Sequence, residues 1–291
     1  MSRQEKVNLR IGIGEGLLAT PWVILSLPAG FIVSAMLNLY YGIEPGTFGL
    51  IASLPAWANA LQILALPFLA KFFTAREMAL SMSWLNLGLW VMLSAMLSFL
   101  PQDDASVAGG IFLVFFVLAS LSASFIGLGW TAWVNQWVPT KIRGTYFGKR
   151  NRYIAIVTVL FLLLSTSLLD LFHNSIISYQ IILILAAAMR FGSVLWQHRI
   201  VDREHAEEPL FEGDLLKQLK LLPAHKVFLG ILVFNAWVNF WMNLTGPFGP
   251  VFVYEHLGMT PGQFALINVL STLANAASMP LVRAPTAAAR A

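Results

Sequence analysis

Cysteine is absent from all 291 residues, which excludes disulfides, thiolate catalysis and cysteine-based metal sites. Charge is scarce as well. Asp, Glu, Lys and Arg make up 11% of the chain, against about 25% in soluble domains, while 58% of residues are hydrophobic. Mean hydropathy is +0.72. A soluble globule cannot cover so much apolar surface, so lipid is the solvent for most of this chain. The five histidines, His173, His198, His205, His225 and His256, are scattered without ligand spacing, so no metal is expected. The glycine pattern "GIGEG", Gly12–Gly16, has no strand before it and an apolar helix after it, which argues against a nucleotide-binding turn. No catalytic constellation emerges, and neither enzymatic activity nor a cofactor is expected. The net charge of +4 would fit nucleic acid, but its distribution points to the lipid bilayer instead.

Long charge-free runs are what the sequence has. Gly16–Ile43, Pro45–Ala70, Met78–Gln102, Ala105–Thr140, Val227–Tyr254 and His256–Val282 each exceed the ~20 residues that cross a hydrocarbon core. Two shorter runs, Tyr153–Leu169 and Leu171–Met189, flank Asp170. Together they predict an all-α polytopic membrane protein with eight spans, roughly 14–40, 47–70, 78–100, 108–133, 153–172, 177–197, 227–254 and 262–282. The first span is too long for a signal-peptide core and lacks a cleavage site. With the N-terminus inside, all 18 basic residues fall on the cytoplasmic side, and the opposite loops hold only acids such as Glu44, Asp103, Asp104 and Glu255. That is the positive-inside pattern of a multi-pass inner-membrane protein with a cytoplasmic N-terminus.

One sentence is written twice. Aligning Gly42–Ala60 with Gly258–Ala276, 216 residues later, gives ten identities in nineteen positions without a gap. Shared composition explains Leu and Ala matches but not Gly-x-x-Pro-Gly-x-Phe or the paired Asn59 and Asn275. Pro45 and Pro261 suit the first turn of an entering helix, where a missing N–H costs nothing. The repeat spans six helices, so both copies run the same way through the membrane, the pattern of parallel six-helix repeats.

The segment between spans four and five reads "NQWVPTKIRGTYFGKRN", Asn135–Asn151. Its Val138, Pro139, Arg143, Gly144, Phe147 and Gly148 resemble the Val-Pro, Arg-Gly, Phe-Gly loop of bacterial major facilitator transporters. Its basic residues suit lipid anchoring by a polybasic segment better than a gating role. The resemblance covers the whole chain in topology, but only this loop and the repeat in motif. It implies a six-helix N-terminal half at 1–198, a cytoplasmic inter-half loop at 199–226 with an amphipathic helix at Asp214–Leu222, and two helices of the second half at 227–282. Two departures stand out. The family's Gly-x-x-x-Asp-Arg/Lys motif between spans two and three is here "AKFFTAREM", Ala70–Met78, without Gly or Asp. The family has twelve spans and this chain eight, with an atypical tail at 283–291 that resembles out-of-frame coding, so the chain is expected to be truncated after the eighth helix by a frameshift or as a gene fragment, the alternative being a genuine short variant.

The implied function is secondary active transport of a small solute by alternating access. The alternative is a non-transporting membrane protein that uses the scaffold for assembly or partner binding. The resemblance also implies that spans one, four and seven line a central cavity. Candidates there are the helical stripe Asn235, Asn239, Asn243 with Trp237 and Trp241, then Trp130 and Thr131, and the mid-span amides Asn59 and Asn275. The break "GPFGP", Gly246–Pro250, frees backbone groups that protein or water must satisfy. Glu15, at the head of span one, is the candidate for proton coupling; Arg190, inside span six, is a weaker candidate that snorkels inward.

Overall fold

The computed structural model describes residues 3–201, 223 and 225–278. The chain is helical, with no strand among the described residues. Helix α1 spans Arg3–Leu25, α2 Phe31–Ser34, α3 Pro45–Leu69, α4 Ala75–Met96 and α5 Ala105–Trp137. Helix α6 spans Arg143–Leu171, α7 Ile176–Gln197, α8 Lys226–Thr245, α9 Gly249–Val251 and α10 Pro261–Ser278. Both short helices run on as π-helical stretches, Ala35–Tyr40 after α2 and Phe252–His256 after α9. Among the described residues, five continuous helices are long and apolar enough to cross a membrane: Pro45–Leu69, Ala75–Phe99, Ala105–Trp137, Thr140–Leu171 and Ile176–Gln197. The chain is thus a multi-pass membrane protein. The segment Asp214–Leu222 and the tail at 283–291 lie outside the described residues.

The first expected span is not one helix. It stops at Leu25 and resumes at Phe31. The cause is "SLPAG", Ser26–Gly30, because Pro28 lacks an N–H and its ring collides with the carbonyl four residues back. The freed groups are recovered by short turns, Leu27 N to Ile24 O at 3.4 Å and Gly30 N to Leu27 O at 2.8 Å. The seventh span breaks likewise at Gly246–Phe248.

The repeated sentence has a repeated backbone. The N–H of Tyr41 donates to Met36 O and that of Ile43 to Leu37 O, while Leu257 donates to Phe252 O and Met259 to Val253 O. Each bond of the second pair lies 216 positions after its counterpart. Gly42 and Gly258 both take φ of 60°, a left-handed conformation that a Cβ penalises. Pro45 and Pro261 then open α3 and α10. Only the second copy adds reciprocal capping, Thr260 N to Gln263 Oε1 at 2.9 Å and Gln263 N to Thr260 Oγ1 at 3.3 Å.

Packing gathers these elements around α2 and its π stretch, where Phe31, Val33, Ala35 and Leu37 are buried together with Phe48, Ile51, Phe112, Phe116, Tyr179 and Ile182. Helix α1 lies along α6 and α7, α4 along α5 and α7, α3 against α5, and α10 against α6. Gly129 lets α4 and α5 touch backbone to backbone, since a Cβ there would sit 2.8 Å from Ala75 O and Ala79 N. The departed loop motif is replaced by a capping box, Thr74 N to Glu77 Oε2 at 2.9 Å and Glu77 N to Thr74 Oγ1 at 3.3 Å. Arg76 braces it from the side, donating to His198 O at 3.4 Å and lying 5.8 Å from the centre of the Trp133 ring.

Candidate functional site

Glycines decide where α1 can go. A Cβ on Gly12 would meet the Tyr146 hydroxyl and Trp137, one on Gly14 would enter the Trp196 ring, and one on Gly16 would enter the Arg150 guanidinium. "GIGEG" is therefore a packing surface: bare backbone on which α5, α6 and α7 lay large side chains. Between those glycines stands Glu15, 3% exposed.

Two helices, α6 and α7, bring donors to the Glu15 carboxylate. Arg150 Nη2 from α6 lies 3.3 Å from Oε2. From α7, Gln197 Nε2 donates to Oε1 at 2.8 Å, Ser193 Oγ donates to it at 3.3 Å, and Arg190 Nη1 stands 4.0 Å away. Arg190 is held in turn by Ser193 Oγ at 3.1 Å and by Ser83 Oγ of α4 at 2.7 Å. Arg150 Nε donates to Gly12 O at 3.1 Å. Each guanidinium also covers a tryptophan, Arg190 at 4.3 Å from the ring centre of Trp22 and Arg150 at 4.5 Å from that of Trp130. Such cation–π contacts add about 0.5–2 kcal/mol when desolvated. The sum is one carboxylate between two guanidiniums, a buried cluster of net charge +1.

This cluster forms one end of a cavity of about 360 Å³. Helix periodicity builds the walls. Ala19, Trp22 and Val23 share one face of α1, Ser26 follows just past its end, and Ser120, Ala123, Ser124, Gly127, Trp130 and Thr131 share one face of α5. Pro55 and Asn59 face it from α3. Ser124 Oγ sits 2.6 Å from Gln62 Oε1 and 3.2 Å from both Asn59 Oδ1 and Ala58 O. A second space, about 470 Å³ between α4 and α5, is lined by Leu89, Met92, Val107, Val114 and other apolar groups. No polar group converges on it, so it lacks the groups that orient a small-molecule ligand.

The sequence-derived candidates divide. Trp130, Thr131, Asn59 and Glu15 line the cavity. Asn235, Asn239 and Asn243 do not: they are exposed, and each donates to the carbonyl four residues back on its own helix, at 2.9, 2.8 and 2.8 Å. Trp237 and Trp241 are exposed beside them, edge to face at 5.6 Å. Asn275 is exposed on α10. Arg190 does not snorkel; it is 1% exposed and turned into the cluster. In the loop motif, Pro139 leads into the turn Thr140–Ile142, and Gly144 and Gly148 lie in α6. Arg143 Nη2 donates to Asn135 O at 3.0 Å and Val138 O at 3.3 Å, placing a cation on the last carbonyls of α5.

Sequence reasoning missed Arg150, Gln197 and Asn86. Arg150 was grouped with the polybasic loop, yet it stands seven residues into α6, on the helix side that meets α1. Asn86 lies alone in an apolar run, which is itself a signal. It accepts from the Trp22 indole and donates to Ala119 O at 3.0 Å and Ser122 Oγ at 2.6 Å, tying α1, α4 and α5 together behind the cavity.

Compared with known proteins, residues 18–285 match the family model described as Major Facilitator Superfamily. Neither the curated proteins nor the solved structures contain a match to this chain.

Proposed function

The chain belongs to the major facilitator superfamily and is a membrane transporter; from that premise we propose a secondary active transporter that moves a small solute by alternating access, with the cavity among α1, α3 and α5 as its binding surface in the N-terminal half. The observation that carries the reading is convergence. The cavity that has polar groups in its wall is also where the buried charges meet, and helices α1, α3, α5, α6 and α7 all contribute to it. A concave site with few convergent polar groups is the usual form of small-molecule recognition.

The finer architecture belongs to the same proposal. Residues 1–198 form a six-helix half, 199–226 connect the halves, and 227–282 open the second, with the N-terminus on the cytoplasmic side of an inner membrane. The repeated hydrogen bonds at Tyr41 and Leu257 support this period. The amide stripe of α8 and Asn275 would border the path from the second half. The loop motif around Arg143 fixes the end of α5 and thereby the wall that carries Trp130 and Thr131.

Glu15 is the proposed coupling group. The charged and titratable groups that face it are Arg150 and Tyr146 from α6 and Arg190 from α7. A proton on Glu15 would raise the cluster from one excess positive charge to two and release Arg150, so proton and solute occupancy become linked. Reconstituted proteoliposomes test both steps. Solute counterflow is expected with the native chain, and Glu15→Gln is expected to retain counterflow while flattening the pH dependence of uptake. Correctly folded protein that supports no counterflow would sink the transporter reading.

A further inference from the structure

We propose that the cavity binds an amphipathic organic monoanion, with its carboxylate on Arg150 and its apolar body between Trp130 and Trp22. This names the solute class of the transporter reading above and rests on it.

Charge is the first argument. The groups lining the cavity include two guanidiniums, Arg150 and Arg190, and one carboxylate, Glu15. Arg190 and Glu15 are 1% and 3% exposed, and the Arg150 side chain is 13% exposed. A charge left uncompensated away from water is costly, and a single ligand anion supplies what the protein omits. A neutral ligand leaves the excess in place, and a cation adds to it.

Hydrogen bonding gives the second argument independently. Guanidinium groups only donate. The Nε of Arg190 and the hydroxyl of Ser120 are buried at this cavity without a partner among the described residues. No bond from Arg150 Nη1 is seen among the described residues either, while its Nε and Nη2 hold Gly12 and Glu15. Unused donors beside a positive cluster call for acceptor oxygens carrying negative charge.

The walls set the rest of the ligand. Trp22, Trp130, Ala19 and Ala123 present apolar surface next to the donors. A small inorganic anion would leave that surface uncovered. A di- or triphosphate would exceed the single excess charge. The fitting ligand has one carboxylate and an aliphatic or aromatic body, and about 360 Å³ accommodates it.

Three probes of similar size test the proposal on the full native chain in detergent, by titration calorimetry: 3-phenylpropionate, its isosteric amide, and 3-phenylpropylammonium. The acid is expected to bind at least about tenfold tighter than the amide, the scale of a hydrogen bond to a charged group, and the ammonium not to bind measurably. Amide or ammonium binding as tightly as the acid overturns the inference, and this comparison needs no variant. Arg150→Gln is expected to abolish the preference for the acid, Arg150→Lys to restore part of it, and Glu15→Gln to strengthen acid binding several-fold. Unchanged preference in a folded Arg150→Gln protein also overturns it. The two levels separate cleanly. Acid binding without flux of the same acid in proteoliposomes refutes transport and keeps the site. Flux of neutral or cationic solutes without acid preference keeps transport and refutes the anion site.

Discussion

The two copies of the repeated element share a backbone but not an environment. In the first, Leu37, Phe48 and Ile51 are fully buried and Tyr41 donates its hydroxyl to Leu97 O at 2.8 Å. In the second, Ile267 is exposed where Ile51 is buried, and burial among the described residues is confined to Pro250, Val251, Tyr254, Ala265 and Val269, facing α2 and α6. Helix α8 goes further: apart from Leu229, every side chain described on it is exposed. The π turn, the left-handed glycine and the proline start nevertheless agree bond for bond. Local geometry is therefore written locally, in Gly42-x-x-Pro45 and Gly258-x-x-Pro261, while burial depends on what packs around it. The charge cluster is the sharpest contrast, because its members all lie on helices of the first 198 residues.

Substitutions can break that comparison, beginning with the cluster. Glu15→Leu leaves two guanidiniums without their counter-charge and is expected to destabilise the fold by about 3–5 kcal/mol, whereas exposed Glu255→Leu is expected to be near neutral; unfolding in mixed micelles measures both. Phe48→Ala opens a fully buried site and is expected to cost about 3 kcal/mol or more, and Phe264→Ala at the matching position less. Equal losses would mean that α10 is as deeply packed as α3. Gly42→Ala and Gly258→Ala should cost about 1 kcal/mol each. Here equality is the expectation, since the strain is local; a much larger loss in one copy would show that its surroundings enforce the turn. The smallest effect belongs to Asn235→Ala, Asn239→Ala and Asn243→Ala, each expected within about 0.5 kcal/mol in the same assay.

Much of this is legible in the sequence. Scarce charge and long apolar runs gave a helical membrane protein, and the doubled sentence gave the matching turns. Proline supplies both breaks, but only "GPFGP" is conspicuous in sequence, because it holds two glycines and two prolines; "SLPAG" lies inside an apolar run with a single proline, Pro28. At the site, Trp130, Thr131, Asn59 and Glu15 were legible as polar or amphipathic groups at helical spacing. Arg150 was not, because a basic residue near a polybasic loop looks the same in sequence whether it faces lipid headgroups or a carboxylate 135 positions earlier. The glycines of "GIGEG" posed the same difficulty: their partners, Tyr146, Arg150 and Trp196, are distant in sequence and close only after folding.

The absence of cysteine makes the central claim directly testable, since any introduced thiol is the only one in the chain. Thr131→Cys on the cavity wall and Leu164→Cys on an exposed apolar face of α6 can each be treated in intact membranes with a charged, membrane-impermeant thiol reagent. If the cavity among α1, α3 and α5 is the aqueous path of a solute, Thr131→Cys is modified and 3-phenylpropionate slows that modification, while Leu164→Cys stays unreactive. A silent Thr131→Cys, or equal labelling at the two positions, would contradict it.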